Sequence, residues 1–66
     1  MKADQGQTVI SFYDADNRSE ALAIVRKSGD QISLTLSIMK GGDIEVFLDQ
    51  STCLKLIQAL QEAADN

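Results

Sequence analysis

Cysteine and histidine are nearly missing from this chain of 66 residues, which has one cysteine and no histidine. A single thiol cannot close a disulfide within the chain, and one cysteine without histidine cannot supply any of the usual zinc ligand sets. Disulfides and metal ions are the common supplements to the small core of a short domain. Self-association is the remaining way to stabilise so small a core. The lone thiol predicts a reducing, cytoplasmic location.

Basic charge and long apolar runs are also scarce. Six Lys and Arg residues stand against ten Asp and Glu residues, and the net charge of −4 disfavours phosphate backbones on average. No apolar run approaches the roughly 18 residues of a membrane span, and the polar residues 1–7 are predicted to form a flexible tail. Because 44% of the residues are hydrophobic, we expect the chain to fold, and its length predicts one domain. The lack of a long apolar run predicts that the domain does not associate with a membrane.

The clearest pattern is QISLTLSI, residues 31–38, in which aliphatic and hydroxyl-bearing or amide side chains alternate without a break. Such alternation predicts a strand with one apolar face. Similar reasoning predicts strands over residues 8–13, 20–26 and 43–48. The spacing of Cys53, Leu56, Ile57 and Leu60 predicts a helix over residues 50–64, with Asp49 or Ser51 as its N-cap. The predicted fold is α+β, a four-stranded antiparallel meander with one C-terminal helix packed on one face (ββββα).

Two glycine-containing connections, RKSGDQ and MKGGDI, set the predicted strand register. Each is interpreted as a three-residue hairpin loop ending in a left-handed glycine, with loops at residues 27–29 and 40–42. The first loop pairs Ile24 with Ile32, and the second pairs Leu36 with Val46. All even-numbered strand positions then face the helix, and all odd-numbered positions lie on an uncovered face.

The uncovered face is the predicted contact surface, because small residues there would let another chain approach and larger ones would anchor it. A solvated face is the alternative interpretation, and the edges of the sheet are a second possible contact. The candidate interface residues are Val9, Tyr13, Ala23, Val25, Thr35 and Phe47.

No residue pattern predicts catalysis, a metal site or a cofactor. The segment DADNRSE, residues 14–20, begins like a calcium loop, but Arg18 occupies a ligand position and Val25 stands where the bidentate glutamate belongs. Cys53 lies on the apolar stripe of the helix without a base to activate its thiol. We therefore predict a protein that is not an enzyme.

The order of ISLTLSI, a hairpin, and DIEVFLDQSTCLKLIQALQEA resembles the positive-cofactor family of transcriptional coactivators over residues 20–64. The junction EVFLDQSTCLKL is similar to that family's passage from last strand to helix. The resemblance implies a dimer with single-stranded DNA across its sheet. The residues available here for such binding are Arg26, Lys27, Lys40, Tyr13 and Phe47.

Two functional hypotheses follow. The first is a small intracellular interaction module that pairs with itself, or with an unidentified protein, through the uncovered sheet face or a sheet edge. The alternative is a single-stranded nucleic-acid-binding protein of the positive-cofactor type. The acidic composition favours the first, because nucleic-acid grooves are basic.

Overall fold

The computed structural model describes residues 5–66 as one open antiparallel sheet in the order β1-β2-β3-β4, followed by a helix. The elements are β1 (Gln5–Asp14), β2 (Ser19–Ser28), β3 (Gln31–Ile38), β4 (Asp43–Leu48) and α1 (Gln50–Asp65). The predicted ββββα architecture is confirmed. Strands β1 and β2 are longer than expected, so residues 5–7 belong to β1 rather than to a tail, and residues 1–4 lie outside the described part.

The turn between β1 and β2 is organised by Asp14. Its carboxylate accepts hydrogen bonds from the backbone N–H groups of Asp16 and Asn17 at 3.1 and 3.2 Å, and from Asn17 Nδ2 at 2.7 Å. Arg18 adopts a left-handed conformation with φ of 53°. Both Asp14 oxygens are therefore used to hold the turn, as short acidic side chains commonly are.

The β2–β3 hairpin corrects the predicted register. Ser28 pairs with Gln31, so the loop is the two residues Gly29 and Asp30, with φ of 61° at Gly29. A positive φ at the first central position and a negative φ at the second is the type II′ pattern, which suits the twist of paired strands. The predicted loop at residues 27–29 is wrong. Ile24 pairs with Thr35 rather than with Ile32, and this odd shift of three positions turns β2 over relative to β3.

The β3–β4 loop differs from prediction without changing the faces. Ser37 pairs with Asp43, Leu36 with Ile44 and Leu34 with Val46, which is a shift of two positions from the predicted pairing. The loop is closed by hydrogen bonds between Ile38 and Gly42, and from Gly41 N–H to the Ile38 carbonyl. Neither Gly41 nor Gly42 has a positive φ, so the left-handed glycine expected there is absent. A shift of two keeps every side chain on its face.

The corrected register gives the helix-side face four rows of side chains across the sheet. Even positions of β1, β3 and β4 meet odd positions of β2 on this face. From the β1–β2 turn downwards, the rows are Phe12–Ala21–Ile38, then Ile10–Ala23–Leu36–Ile44, then Thr8–Val25–Leu34–Val46, and last Gly6–Lys27–Ile32–Leu48. The other side of the sheet is called the far face below.

Helix α1 begins directly after β4 and is capped by Asp49. The Asp49 carboxylate accepts a hydrogen bond from the Thr52 backbone N–H at 2.8 Å, which satisfies one of the free donors at the helix start. Of the two residues that the sequence predicts as N-cap, Asp49 and Ser51, the helix uses Asp49. The stripe of Cys53, Leu56, Ile57 and Leu60 faces the sheet as expected, but the helix covers only the last two rows.

Candidate functional site: the uncovered apolar surface

The first two rows of the helix-side face have nothing above them. We call these the uncovered rows; their large members include Ile10, Phe12, Leu36 and Ile44, which are 43–61% exposed. Ala21 and Ala23 form a low strip between β1 and β3, and Ala21 alone of the hydrophobic residues described is buried. The result is an apolar trough with an alanine floor.

A cleft separates the helix from the sheet beside the uncovered rows. It has a volume of about 130 Å³, and its walls come from β2, β3, β4 and α1. Although they belong to the stripe that faces the sheet, Ile57 and Leu60 are 48% and 68% exposed. The cleft adjoins the trough, because Val25 and Leu34 in its wall are two residues from Ala23 and Leu36 on the same strands.

The described residues contain no fully buried large side chain. The accessible surface of the chain is 5424 Å², whereas a folded monomer of 7.2 kDa exposes about 4,100 Å² by the usual scaling. Four residues of a fully unfolded chain expose roughly 650 Å², so residues 1–4 cannot account for the whole difference. At least about 650 Å² remains, which is close to the roughly 800 Å² that each partner buries in a standard interface.

The two edges of the sheet differ in charge. Edge strand β1 spans ten residues and carries no charged side chain before Asp14. Edge strand β4 spans six residues and carries Asp43 and Glu45. Short length and charge are common protections of a strand edge against pairing with another chain. Strand β4 has both protections, and β1 has neither.

The far face carries a shallow polar pocket. Arg26 and Glu45 approach each other at 3.8 Å, as the one ion pair among residues 5–66, and both side chains are about half exposed. Ser33 lies beneath them and is buried. The pocket has a volume of about 220 Å³ and is lined by Arg26, Ser28, Gln31, Ser33, Glu45 and Phe47.

The structure divides the predicted interface residues between the two faces. Val9, Tyr13, Thr35 and Phe47 lie on the far face as expected. Ala23 and Val25 lie on the helix-side face, and Val25 borders the cleft under α1. The prediction that they lie on the face opposite the helix is wrong, because the two-residue loop places the odd positions of β2 on the helix-side face.

The predicted nucleic-acid residues are likewise not brought together. Arg26 and Phe47 line one pocket on the far face, and Tyr13 lies on the same face. Lys27 is opposite Ile32 on the helix-side face, and Lys40 is in the β3–β4 loop at the other end of the strands. Arg26 is also partly neutralised by Glu45.

The perturbed carboxylates have structural rather than chemical roles. Hydrogen bonds from the Asn17 side chain and backbone lower the pKa of Asp14, and hydrogen bonds from Thr52 lower the pKa of Asp49. Both carboxylates stabilise local chain geometry in their charged form. Within residues 5–66 no cluster of three or more His, Cys, Asp or Glu side chains could hold a metal ion.

Sequence reasoning missed Ala21 and the exposed end of the helix stripe at Leu60, and it named Ala23 as an interface residue but placed it on the wrong face. The signal available for the alanines was their position between large aliphatics on β1 and β3, but it depends on knowing the register. No family model matches the chain, and no curated protein or solved structure is found to be similar to it. In the described part of the chain, no helix has the length and apolar character required to cross a membrane.

Proposed function

We propose that the protein is a small non-enzymatic interaction module whose working form is a homodimer. The observation that carries this proposal is the absence of a fully buried large side chain among residues 5–66, together with an apolar face that α1 covers only in part. A chain of this size has few other sources of stability, since it has one cysteine and no histidine. A second copy supplies the apolar contact that the single chain leaves unmade.

Charge also supports pairing through the helix-side face. The chain has a net charge of −4, which opposes self-association unless the contact itself is neutral. The uncovered rows contain no charged residue. Asp43 and Glu45 lie on the far face, so two copies can meet on the helix side without bringing these carboxylates together.

Sedimentation velocity over a range of micromolar concentrations tests the homodimer. We expect a species of twice the 7.2 kDa chain mass, and a thermal midpoint that rises with protein concentration. A stable monomer with a concentration-independent midpoint would contradict the proposal.

A matched pair of variants locates the contact on one face. Leu36→Lys places an ammonium group in the uncovered rows, and we expect it to dissociate the dimer because burying an unpaired charge is costly. Thr35→Lys makes the same substitution at the neighbouring residue on the far face, where the new lysine is opposite Glu45. That control is expected to retain the dimer mass.

A second candidate function is binding of single-stranded nucleic acid across the far face. The observation that favours it is the shared pocket of Arg26 and Phe47, since a cation beside an exposed aromatic ring can hold a phosphate and a stacked base. Fluorescence anisotropy of a labelled oligonucleotide at 20 mM and 150 mM salt tests it. Binding at low salt that is lost in Phe47→Ala supports this function, and no binding at low salt rejects it.

A further inference from the structure

We infer that two copies pair through their β1 edges in antiparallel orientation and form one continuous eight-stranded sheet. The inference rests on the proposed homodimer and specifies its contact. It brings together three features that the single chain leaves unexplained: an uncharged open edge, an exposed end of the helix stripe, and the uncovered rows.

The hydrogen-bond phase of the sheet determines which groups of β1 are free. Ser28 and Gln31 flank a two-residue loop and form a hydrogen-bonded pair, so even positions of β2 direct their N–H and C=O groups to β3. Odd positions of β2 therefore bond to β1. It follows that even positions of β1 bond to β2, and that Val9, Ser11 and Tyr13 direct their backbone groups to the open edge.

The direction of α1 places its last turns near this edge. The helix starts beside the end of β4, and the cleft beneath it is walled by residues of β4, β3 and β2, so it crosses the strands towards β1. Its 16 residues make a helix about 24 Å long, whereas four strands span about 14 Å. The C-terminal turns therefore extend to the β1 edge, in agreement with the 68% exposure of Leu60.

Symmetry then brings each helix end to the partner's open surface. An antiparallel β1–β1 pair has its two-fold axis perpendicular to the sheet, so both helices lie on the same side, at opposite ends of the strands. Each helix covers the end of its own sheet that contains Val25 and Leu48. The partner's helix end is consequently above the end that contains Phe12 and Ile10, where the trough is uncovered.

A second copy fits this edge better than an unrelated peptide. Strand β1 offers no charged side chain from Gln5 to Tyr13 to select a charged partner, and ten residues allow a long main-chain ladder. The remaining surface excess of at least about 650 Å² is of the size that one partner buries in a standard dimer. The same two-fold axis pairs the two β1 edges and places the end of each helix above the partner's trough.

Disulfide trapping tests the edge contact. In a Cys53→Ser background, single cysteines replace Thr8, Val9, Ile10, Ser11 and Phe12 in turn, and each protein is oxidised and its mass measured. Cross-linked dimer is expected to peak at one or two neighbouring positions, because only residues near the two-fold axis bring their own copies within about 6 Å. Glu45→Cys on the β4 edge is the control and should remain unlinked.

A proline variant gives an independent result. Ser11→Pro removes an outward N–H while leaving the β1–β2 bonds intact, so we expect the dimer dissociation constant to rise at least about tenfold. Glu45→Pro on the other edge is the matched control. A dimer that sediments normally but shows no β1 cross-link and no Ser11→Pro effect overturns the edge contact and leaves the homodimer standing; a monomeric native protein overturns both.

Discussion

The two faces of the sheet use apolar side chains in different ways. In the first two rows of the helix-side face they continue across the strands without a polar side chain, with alanines in the middle and larger apolar residues around them. On the far face Val9 and Ile24 sit beside Thr35 and Glu45, so apolar and polar groups share each row. A continuous apolar surface needs a cover, whereas a mixed one tolerates water. The difference between the faces is therefore a difference in what each requires from a partner.

The largest loss of stability is expected when a side chain beneath the helix is shortened. Leu34→Ala removes a large side chain from the wall of the cleft, and we expect a loss of about 2–3 kcal/mol in the free energy of unfolding. Urea denaturation at a fixed protein concentration measures it. Val9→Ala on the far face is the control, with an expected change below about 1 kcal/mol because Val9 is half exposed in the single chain. Equal losses would remove the distinction between the faces.

The next effect concerns the loop that assigns β2 to its faces. Gly29→Ala places a Cβ at φ of 61°, and we expect a cost of about 1–2 kcal/mol, read from the midpoint of urea unfolding. Gly42→Ala is the matched control in the other hairpin, where φ is not positive and the added Cβ meets nothing within 4 Å. A neutral Gly29→Ala would argue against the two-residue hairpin.

A smaller effect is expected from acid titration of the helix cap. Because hydrogen bonds from Thr52 lower the pKa of Asp49 below its ordinary value, its charged form stabilises the folded state. This contribution is present above about pH 4 and is lost as the pH falls through the lowered folded pKa. Helix content followed by circular dichroism between pH 6 and pH 2.5 should fall less in Asp49→Asn than in the native chain. An identical acid profile would show that the cap does not contribute.

The smallest effect is expected on the far face. Phe47 is 63% exposed and belongs to the polar pocket, so Phe47→Asp should leave the mass in solution and the thermal midpoint nearly unchanged. The measurement is sedimentation together with thermal unfolding. Dissociation of the dimer by this substitution would move the contact to the far face and contradict the proposed interface.

The sequence predicted the strands and the helix better than it predicted which residues of each strand face the helix. Strand β3 and its partner β4 alternate clearly, and the Asp49 cap follows from an acidic residue before an apolar helical stripe. In β2, both parities carry apolar residues, because Ala23 and Val25 alternate with Leu22 and Ile24. Hydrophobic periodicity therefore could not decide which set faces the helix.

The two loops explain why turn chemistry did not settle the matter. RKSGDQ and MKGGDI look alike, with glycine before aspartate in each, yet two residues separate the strands in the first and four in the second. The first glycine is left-handed and the second pair is not. The candidate site was misplaced for the same reason, since the trough exists only when Ala21 and Ala23 lie on the helix-side face.

The proposed homodimer would link the folding of the chain to its abundance, because the single chain buries no large side chain fully among residues 5–66. If pairing provides the missing burial, newly made chains stay mostly unfolded until their concentration is high enough for dimers to form. Scarce copies would be preferred substrates for proteases, and the level of the protein in a cell would then respond to its synthesis rate with a threshold rather than in proportion.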